Sequence, residues 1–311
     1  MKAKDLATFI LPVSAAIAVV VTALLQPLFL TPGNLLNVVG QSAPLAVVAI
    51  AQMLPILTRG LDLSQGGVVV ATSVVFALVA QSFGAVAGMW AGLLVGAGAG
   101  FLNGAVVGGA KVSPFVVTLG FGSVLQGAAL ILANGQPISN VPEGFTLLYY
   151  GRPFGIPIPL FVVAIVWLLI WFMLQRTTIG RFIYAVGSNE RTAYLSGIPT
   201  RTTLVAAYTL SGLLTSVGSL LLSSRIASGH PTAGSDMALQ AVAAAVIGGV
   251  SLFGGRGGVH GAVAGAAFLG LLANALNLLS VASFVQLIAV GISIILAVLI
   301  DRVRFANRGG G

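Results

Sequence analysis

The sequence predicts an all-α, polytopic helical membrane protein, and three observations carry that prediction. Of its 311 residues, 58% are hydrophobic and 6% charged, where soluble domains carry about 25% charged residues. A soluble core cannot absorb that many apolar side chains, whereas a bilayer can. Apolar runs recur along the whole chain, each close to the roughly 20 residues that a span needs. When those runs are threaded alternately across a membrane, the basic residues segregate to one side. The net charge of +8 therefore reads as loop lysines and arginines that set orientation, and no nucleic-acid partner is expected. The chain has no cysteine, which excludes disulfides, thiolate metal sites and cysteine nucleophiles.

Taken in order, Met1-Lys-Ala-Lys-Asp5 precedes an apolar run over 7–30. That run exceeds the about 7–15 residues of a signal-peptide core and lacks a small-residue cleavage site, so it reads as a retained first span. Further spans are placed at 35–58, 62–83, 85–108, 113–134, 156–174, 204–225, 238–255, 258–280 and 282–300, which makes ten. They form a single transmembrane domain over 1–311, and the Pro55 to Gly67 region invites a break in the second or third span. With the N-terminus in the cytoplasm, Lys2, Lys4, Arg59, Lys111, Arg176, Arg181, Arg191, Arg201, Arg256, Arg302, Arg304 and Arg308 fall inside. Only Arg152 and Arg225 fall outside. Both termini are then cytoplasmic, and an odd number of spans would scramble the pattern.

The fourth span carries Gly84, Gly88, Gly92, Gly96, Gly100, Gly104 and Gly108 at every fourth position, and Gly257, Gly261 and Gly265 repeat the spacing later. Such stripes let backbones approach closely, either as a seam that slides or as a tightly packed interior. The segment from Gly135 to Pro157, with four prolines, Tyr149, Tyr150 and Arg152, is expected to form an ordered cap or docking surface on the far side.

The one long hydrophilic interruption runs from Gln175 to Thr203 and carries Arg176, Arg181, Arg191 and Arg201 against Glu190. It encloses a short helix. Ser188 or Asn189 can cap its N-terminus, and Glu190 places negative charge on the positive end of the dipole. Gly197 supplies a left-handed residue to end it, and Pro199 forbids continuation. The result is about 10 Å of rigid rod, which is either held by another protein or a plain loop whose arginines set topology.

Reactive groups are few. Lysine occurs only at 2, 4 and 111, outside any G-x-x-x-x-G-K-[ST] phosphate loop. His230 and His260 show no metal-binding spacing, and the acids Asp62, Glu143, Glu190 and Asp236 are scattered. The chain reads as a non-enzyme that needs neither metal nor cofactor. Asp62 and Ser64 lie where one span ends and the next begins, so Asp62 is expected either to pair with Arg59 or, with Ser64, to cap a helix. Neutral polar residues punctuate the spans: Asn37, Gln41, Gln52, Asn103, Thr118, Asn274, Asn277 and Gln286. Amides without charges suit a path for an uncharged, hydroxyl-rich solute. Hydrogen bonds between helices would use the same residues.

At this point the residues match a known family. The chain resembles the permease subunits of ribose-type ABC importers nearly end to end, through Gly60-Leu-Asp-Leu-Ser64, Asn103-Gly104, Pro114 to Gly120, Gly180 to Gly197, Ala243 to Gly261, Asn274 and Leu276 to Leu279. The resemblance implies a bacterial inner-membrane subunit that pairs with a second permease copy, identical or not. It also implies a cytoplasmic ATP-binding-cassette subunit and a periplasmic or lipid-anchored sugar-binding protein. The loop matching Ala185 to Gly197 is then the ATPase-coupling element, carried by Ala185, Gly187, Ser188, Asn189, Glu190, Arg191, Ala193, Ser196 and Gly197. The expected translocation path draws on Gln41, Gln52, Asp62, Ser64, Asn103, Thr118, Asn274 and Asn277. Permeases for branched-chain amino acids or nucleosides are the alternatives within the class. An ion-driven secondary transporter would need an acid at mid-membrane, and Asp62 is expected near the cytoplasmic edge.

Overall fold

The computed structural model describes residues 22–282 and, beyond them, 284, 285, 288, 291, 292, 295 and 299. The expected spans 7–30 and 282–300 lie largely outside these residues, as does Gln286.

Helix α1 (Pro32–Leu57) opens with proline at its first position, and Thr31 accepts a capping bond from the Asn34 N–H at 3.4 Å. Every residue from Ser42 to Leu57 is buried. A helix apolar on all sides belongs at the centre of a bundle, and α1 is that centre. It closes at Pro55, whose carbonyl takes the N–H groups of Thr58 and Gly60, each at 2.9 Å. Arg59 follows in the left-handed region at φ 64°.

Helix α2 (Gln65–Ala110) has 46 residues, about 69 Å if straight at a 1.5 Å rise. It breaks at Gly84, with φ 85° and ψ 165°, and its two legs run back along each other. Thr72 Oγ1 donates to the Gly92 carbonyl at 3.4 Å, and Gly88 lies against Phe76. These legs are the expected spans 62–83 and 85–108.

Helix α3 (Pro114–Leu132) follows, then α4 (Glu143–Tyr150), a 3-10 turn at Pro153–Gly155, and α5 (Ile158–Arg176). Next come α6 (Thr178–Ser188), α7 (Glu190–Leu195), α8 (Thr200–Ile226), α9 (Met237–Ile247) and α10 (Val259–Leu278). Six of the described helices are long and apolar enough to cross a membrane, so this is a polytopic helical membrane protein. Helices α3 and α5 are largely exposed and present Phe115, Val116, Leu169 and Phe172 outward, as a lipid-facing rim requires.

The count of ten spans is not reproduced. The expected span 238–255 is an 11-residue helix, α9, about 16 Å long against a hydrocarbon core of about 30 Å. Gly249, Gly254, Gly255 and Gly257 all take positive φ, so the chain beyond Ile247 turns through an irregular segment until α10 begins. That segment packs against the end of α1, where the Gly255 N–H donates to Leu57 O at 2.9 Å, while Gly249, Phe253 and Arg256 are exposed.

Gly88 and Gly92 face the first leg of α2, and from Gly96 onward the glycine stripe is a packed seam against α8. Gly96 meets Gly212 and Ser216, Gly100 meets Tyr208, Gly104 meets Val205 and Gly108 meets Arg201, an antiparallel register. Gly261 and Gly265 play the same part against Gly248 and Ala244. The segment from Gly135 to Pro157 is ordered, as expected. Ile138 and Gly229 exchange backbone hydrogen bonds of 2.7 and 3.0 Å. The Phe145 ring centroid lies 4.0 Å from that of Phe76 at a tilt of 31°, and the Tyr150 hydroxyl donates to the Arg225 carbonyl at 2.8 Å.

Candidate functional site

Three places gather the residues singled out in the sequence. The first is the short rod. Asn189, rather than Ser188, is the cap: its side chain accepts from the Thr192 N–H at 3.0 Å. Ser188 is the last residue of α6 and donates to the Tyr184 carbonyl at 2.9 Å. Gly197 at φ 79° turns the chain, so that its own N–H reaches Tyr194 O and the Ile198 N–H reaches Ala193 O, both at 3.0 Å. These bonds satisfy the carbonyls at the end of the helix. Ala193 packs inward with Val186, Leu204 and Ile198. Tyr194 and Leu195 are left 70% and 76% exposed.

The base of the rod is clamped to the bundle. Arg59 Nε donates to Gly187 O at 2.6 Å and Phe253 O at 3.0 Å, and its Nη2 donates to Ser188 O. Gly187 lies directly against the Leu57 carbonyl, which also accepts from the Gly255 N–H at 2.9 Å. No side chain fits there. Tyr184 donates to Gly257 O at 2.9 Å, and burial pushes its phenol up in pKa. A cleft of about 940 Å³ opens beside the rod, with Arg59, Lys111, Glu190, Arg191 and Arg201 on its walls. Ala185, Gly187, Ser188, Asn189, Glu190, Arg191, Ala193, Ser196 and Gly197 are therefore one connected unit. The sequence reading omitted Tyr194 and Leu195, which only their exposure reveals, and the tether Arg59.

The second place is a buried polar node. Gln52, Ser64, Asn103 and Thr118 are fully buried and Asp62 is 1% exposed. Asp62 does not pair with Arg59, which is spent on backbone carbonyls. Its Oδ1 accepts from the Ser64 N–H at 3.1 Å and from the Ser64 hydroxyl, and its Oδ2 accepts from Ser211 Oγ at 3.1 Å. Asn103 Nδ2 donates to Ser64 Oγ at 2.7 Å, and the Leu63 N–H donates to Thr118 Oγ1 at 3.0 Å. With the Gln52 amide turned to match its neighbours, it donates to Asp62 O at 3.1 Å and to Gln65 Oε1 at 2.9 Å. Ser64 stands at the cap position of α2 but makes no side-chain cap bond. The partner Ser211 lies about 16 Å along α8 from Thr200. Five expected path residues thus meet at one point, and there they join helices.

The third place is a cavity of about 420 Å³ at the opposite end of the bundle, which includes Gln41 and Asn277 in its lining. Asn274, one turn before Asn277, is buried and forms a reciprocal amide pair with Asn34 at 2.9 and 3.0 Å. That pair joins α10 to the start of α1 and leaves Asn274 out of the cavity lining.

The chain can be placed among known proteins. Residues 34–299 match the model of a family described as branched-chain amino acid transport system / permease component. The ribose import permease protein RbsC of Escherichia coli strain K12 is 38% identical over 297 residues, covering 93% of this chain and 92% of that protein. The D-allose transport system permease protein AlsC of the same strain is 32% identical over 290 residues, covering 92% and 89%. The fructose import permease protein FrcC of Rhizobium meliloti is 35% identical over 272 residues, covering 84% and 76%. No solved structure matches the chain. On this coverage and identity the protein is a member of the branched-chain amino acid transport system / permease component family and a relative of the ribose import permeases.

Proposed function

We propose that the chain is the membrane-spanning subunit of an ATP-driven importer that carries a monosaccharide across a bacterial inner membrane. The reading rests on relatives whose names specify ribose, D-allose and fructose import. One structural observation supports it: a capped rod, α7, presents Tyr194 and Leu195 outward while Arg59 fastens its base to α1. The partners are an ATP-binding-cassette subunit that grips α7, a second permease copy, and a sugar-binding protein that delivers solute from outside. The end carrying α7 faces the cytoplasm, with both termini on that side, and the cavity lined by Gln41 and Asn277 faces outward.

Mechanically, ATP binding closes two ATPase subunits and draws two α7 rods together. Arg59 passes that displacement to the end of α1 and to the 248–258 segment. The Asp62 node makes α1, α2 and α8 follow as one body, because each contributes a buried partner to it. The outward cavity then closes as an inward one opens. No charged solute site is needed within the spans, since recognition begins at the binding protein.

The test is purification of a tagged copy from native membranes in mild detergent, with identification of what accompanies it. A stoichiometric ATP-binding-cassette subunit is the expected result. A permease that emerges alone and moves solute down an ion gradient in liposomes would overturn the proposal.

A further inference from the structure

We infer that the outward cavity of about 420 Å³ is itself a monosaccharide-binding site, built around Asp236, Gln240, Gln41 and Asn277. This rests on the reading of the chain as a sugar permease and adds where the sugar sits. The volume falls within the about 300–1,000 Å³ typical of small-ligand sites, room for a pentose or hexose ring with some water.

The position comes first. Arg225, in the last turn of α8, is part of the lining, while Arg201 at the start of the same helix lies in the cleft beside α7. The cavity is therefore a helix length away from the coupling rod. Below the cavity, α10 packs closely on α1. Gly270 of α10 packs onto Ser42, whose hydroxyl donates to Val38 O at 2.7 Å, and below Ser42 helix α1 is buried without interruption to Leu57.

The chemistry comes second. Asp236 occupies the cap position of α9 yet makes no cap bond. Its carboxylate is at an exposed position and its Oδ2 accepts from Gln240 Nε2 at 2.6 Å. An aspartate that orients a glutamine, with both lining a cavity, is arranged for a ligand that donates and accepts at adjacent atoms. Vicinal hydroxyls do this: they donate to a carboxylate, and each can also accept from an amide N–H. Gln41, exposed, adds another carboxamide from the facing helix α1, and Asn277 lines the cavity from α10. One acid and one base, Asp236 and Arg225, leave the lining without net charge, which suits an uncharged solute. Arg225 is engaged elsewhere, 5.9 Å over the Tyr149 ring. Leu45, Leu269 and Leu276 supply the apolar wall against which the C–H face of a sugar ring rests.

The absence of cysteine allows a direct test. Ala273 lines the cavity, so Ala273→Cys provides a single thiol. Its labelling by a membrane-impermeant maleimide is timed in the purified complex with its ATPase, with D-ribose, D-allose, D-fructose or L-leucine present. At least one sugar is expected to slow labelling several-fold, and L-leucine is not. A Gly144→Cys control, at a position with open space around it, is expected to label equally in every case. Adding Asp236→Ala or Gln41→Ala is expected to abolish protection while ATP hydrolysis persists. If no sugar protects the introduced thiol in a complex that imports sugar, the site assignment fails and the importer reading stands. Protection that survives both alanine substitutions also overturns the site. If L-leucine protects and is imported, the monosaccharide reading itself fails.

Discussion

Replacing Arg59 with alanine isolates the tether between the bundle and the rod α7, the proposed coupling element. The guanidinium makes contacts to Gly187 O at 2.6 Å, Phe253 O at 3.0 Å and Ser188 O, the first two sharing the single Nε–H. A hydrogen bond from a charged donor contributes about 1.5–3 kcal/mol. Arg59 is exposed, water can replace it at the carbonyls, and so the lower end applies. Two such bonds give about 3 kcal/mol of anchoring for the end of α6 and all of α7. Arg59→Ala retains the left-handed backbone at φ 64°, which costs a non-glycine residue about 1–2 kcal/mol, so no relief offsets the loss. Local opening of 184–195 should then become about 100-fold more frequent, at about 1.4 kcal/mol per tenfold. Amide hydrogen exchange of the membrane-embedded protein reads this directly. In the reconstituted complex, ATP hydrolysis should continue while sugar moved per ATP falls. Arg59→Lys should be intermediate, because a single ammonium cannot reproduce the planar fork. Exchange in 184–195 indistinguishable from the parent protein would refute the tether.

Three further outcomes are expected. Gly96→Leu places a side chain into Gly212 and Ser216 and should cost about 3 kcal/mol or more by overpacking, seen as lost thermal stability in detergent. Gly98→Leu, with nothing within 4 Å, should be nearly neutral, and equal effects would remove the seam. Asp62→Ala leaves the Ser64 and Ser211 donors unpaired and should destabilise by about 2–4 kcal/mol. Asp62→Asn keeps an acceptor, should cost less and should retain ATP-driven uptake, whereas an ion-driven transporter would lose transport. Gly197→Val meets no neighbour and acts only through its φ of 79°, a cost of about 1–2 kcal/mol. Either this variant or Glu190→Arg, each alone, should uncouple hydrolysis from uptake without impairing insertion, as an uptake-to-ATP ratio would report.

Much of this protein was legible in order along the chain. Apolar runs of span length, the boundary between the runs 62–83 and 85–108, and the Asn189, Gly197 and Pro199 punctuation of the rod are local properties. Each depends on hydrogen bonding and backbone freedom within a few residues, and the linear sequence displays those directly. The period-four glycines announced a close approach, but not that α8 was the helix approaching. The 238–255 region was misjudged because hydropathy adds up over a window and is blind to where the backbone stops being helical. Gly248 and Gly249, the latter at φ 89°, end α9 after 11 residues, and Gly254, Gly255 and Gly257 at positive φ keep the chain irregular until α10. Asp62 shows the same divide. Its nearest charged neighbour in sequence, Arg59, points away, and its second oxygen is satisfied by Ser211, 149 residues distant. A buried carboxylate is satisfied by whichever donors packing brings within about 3 Å. Packing is a property of helix faces meeting in space, so composition and spacing determined the class and the elements. The tertiary structure alone decided which polar residues became joints between helices and which were left facing a cavity.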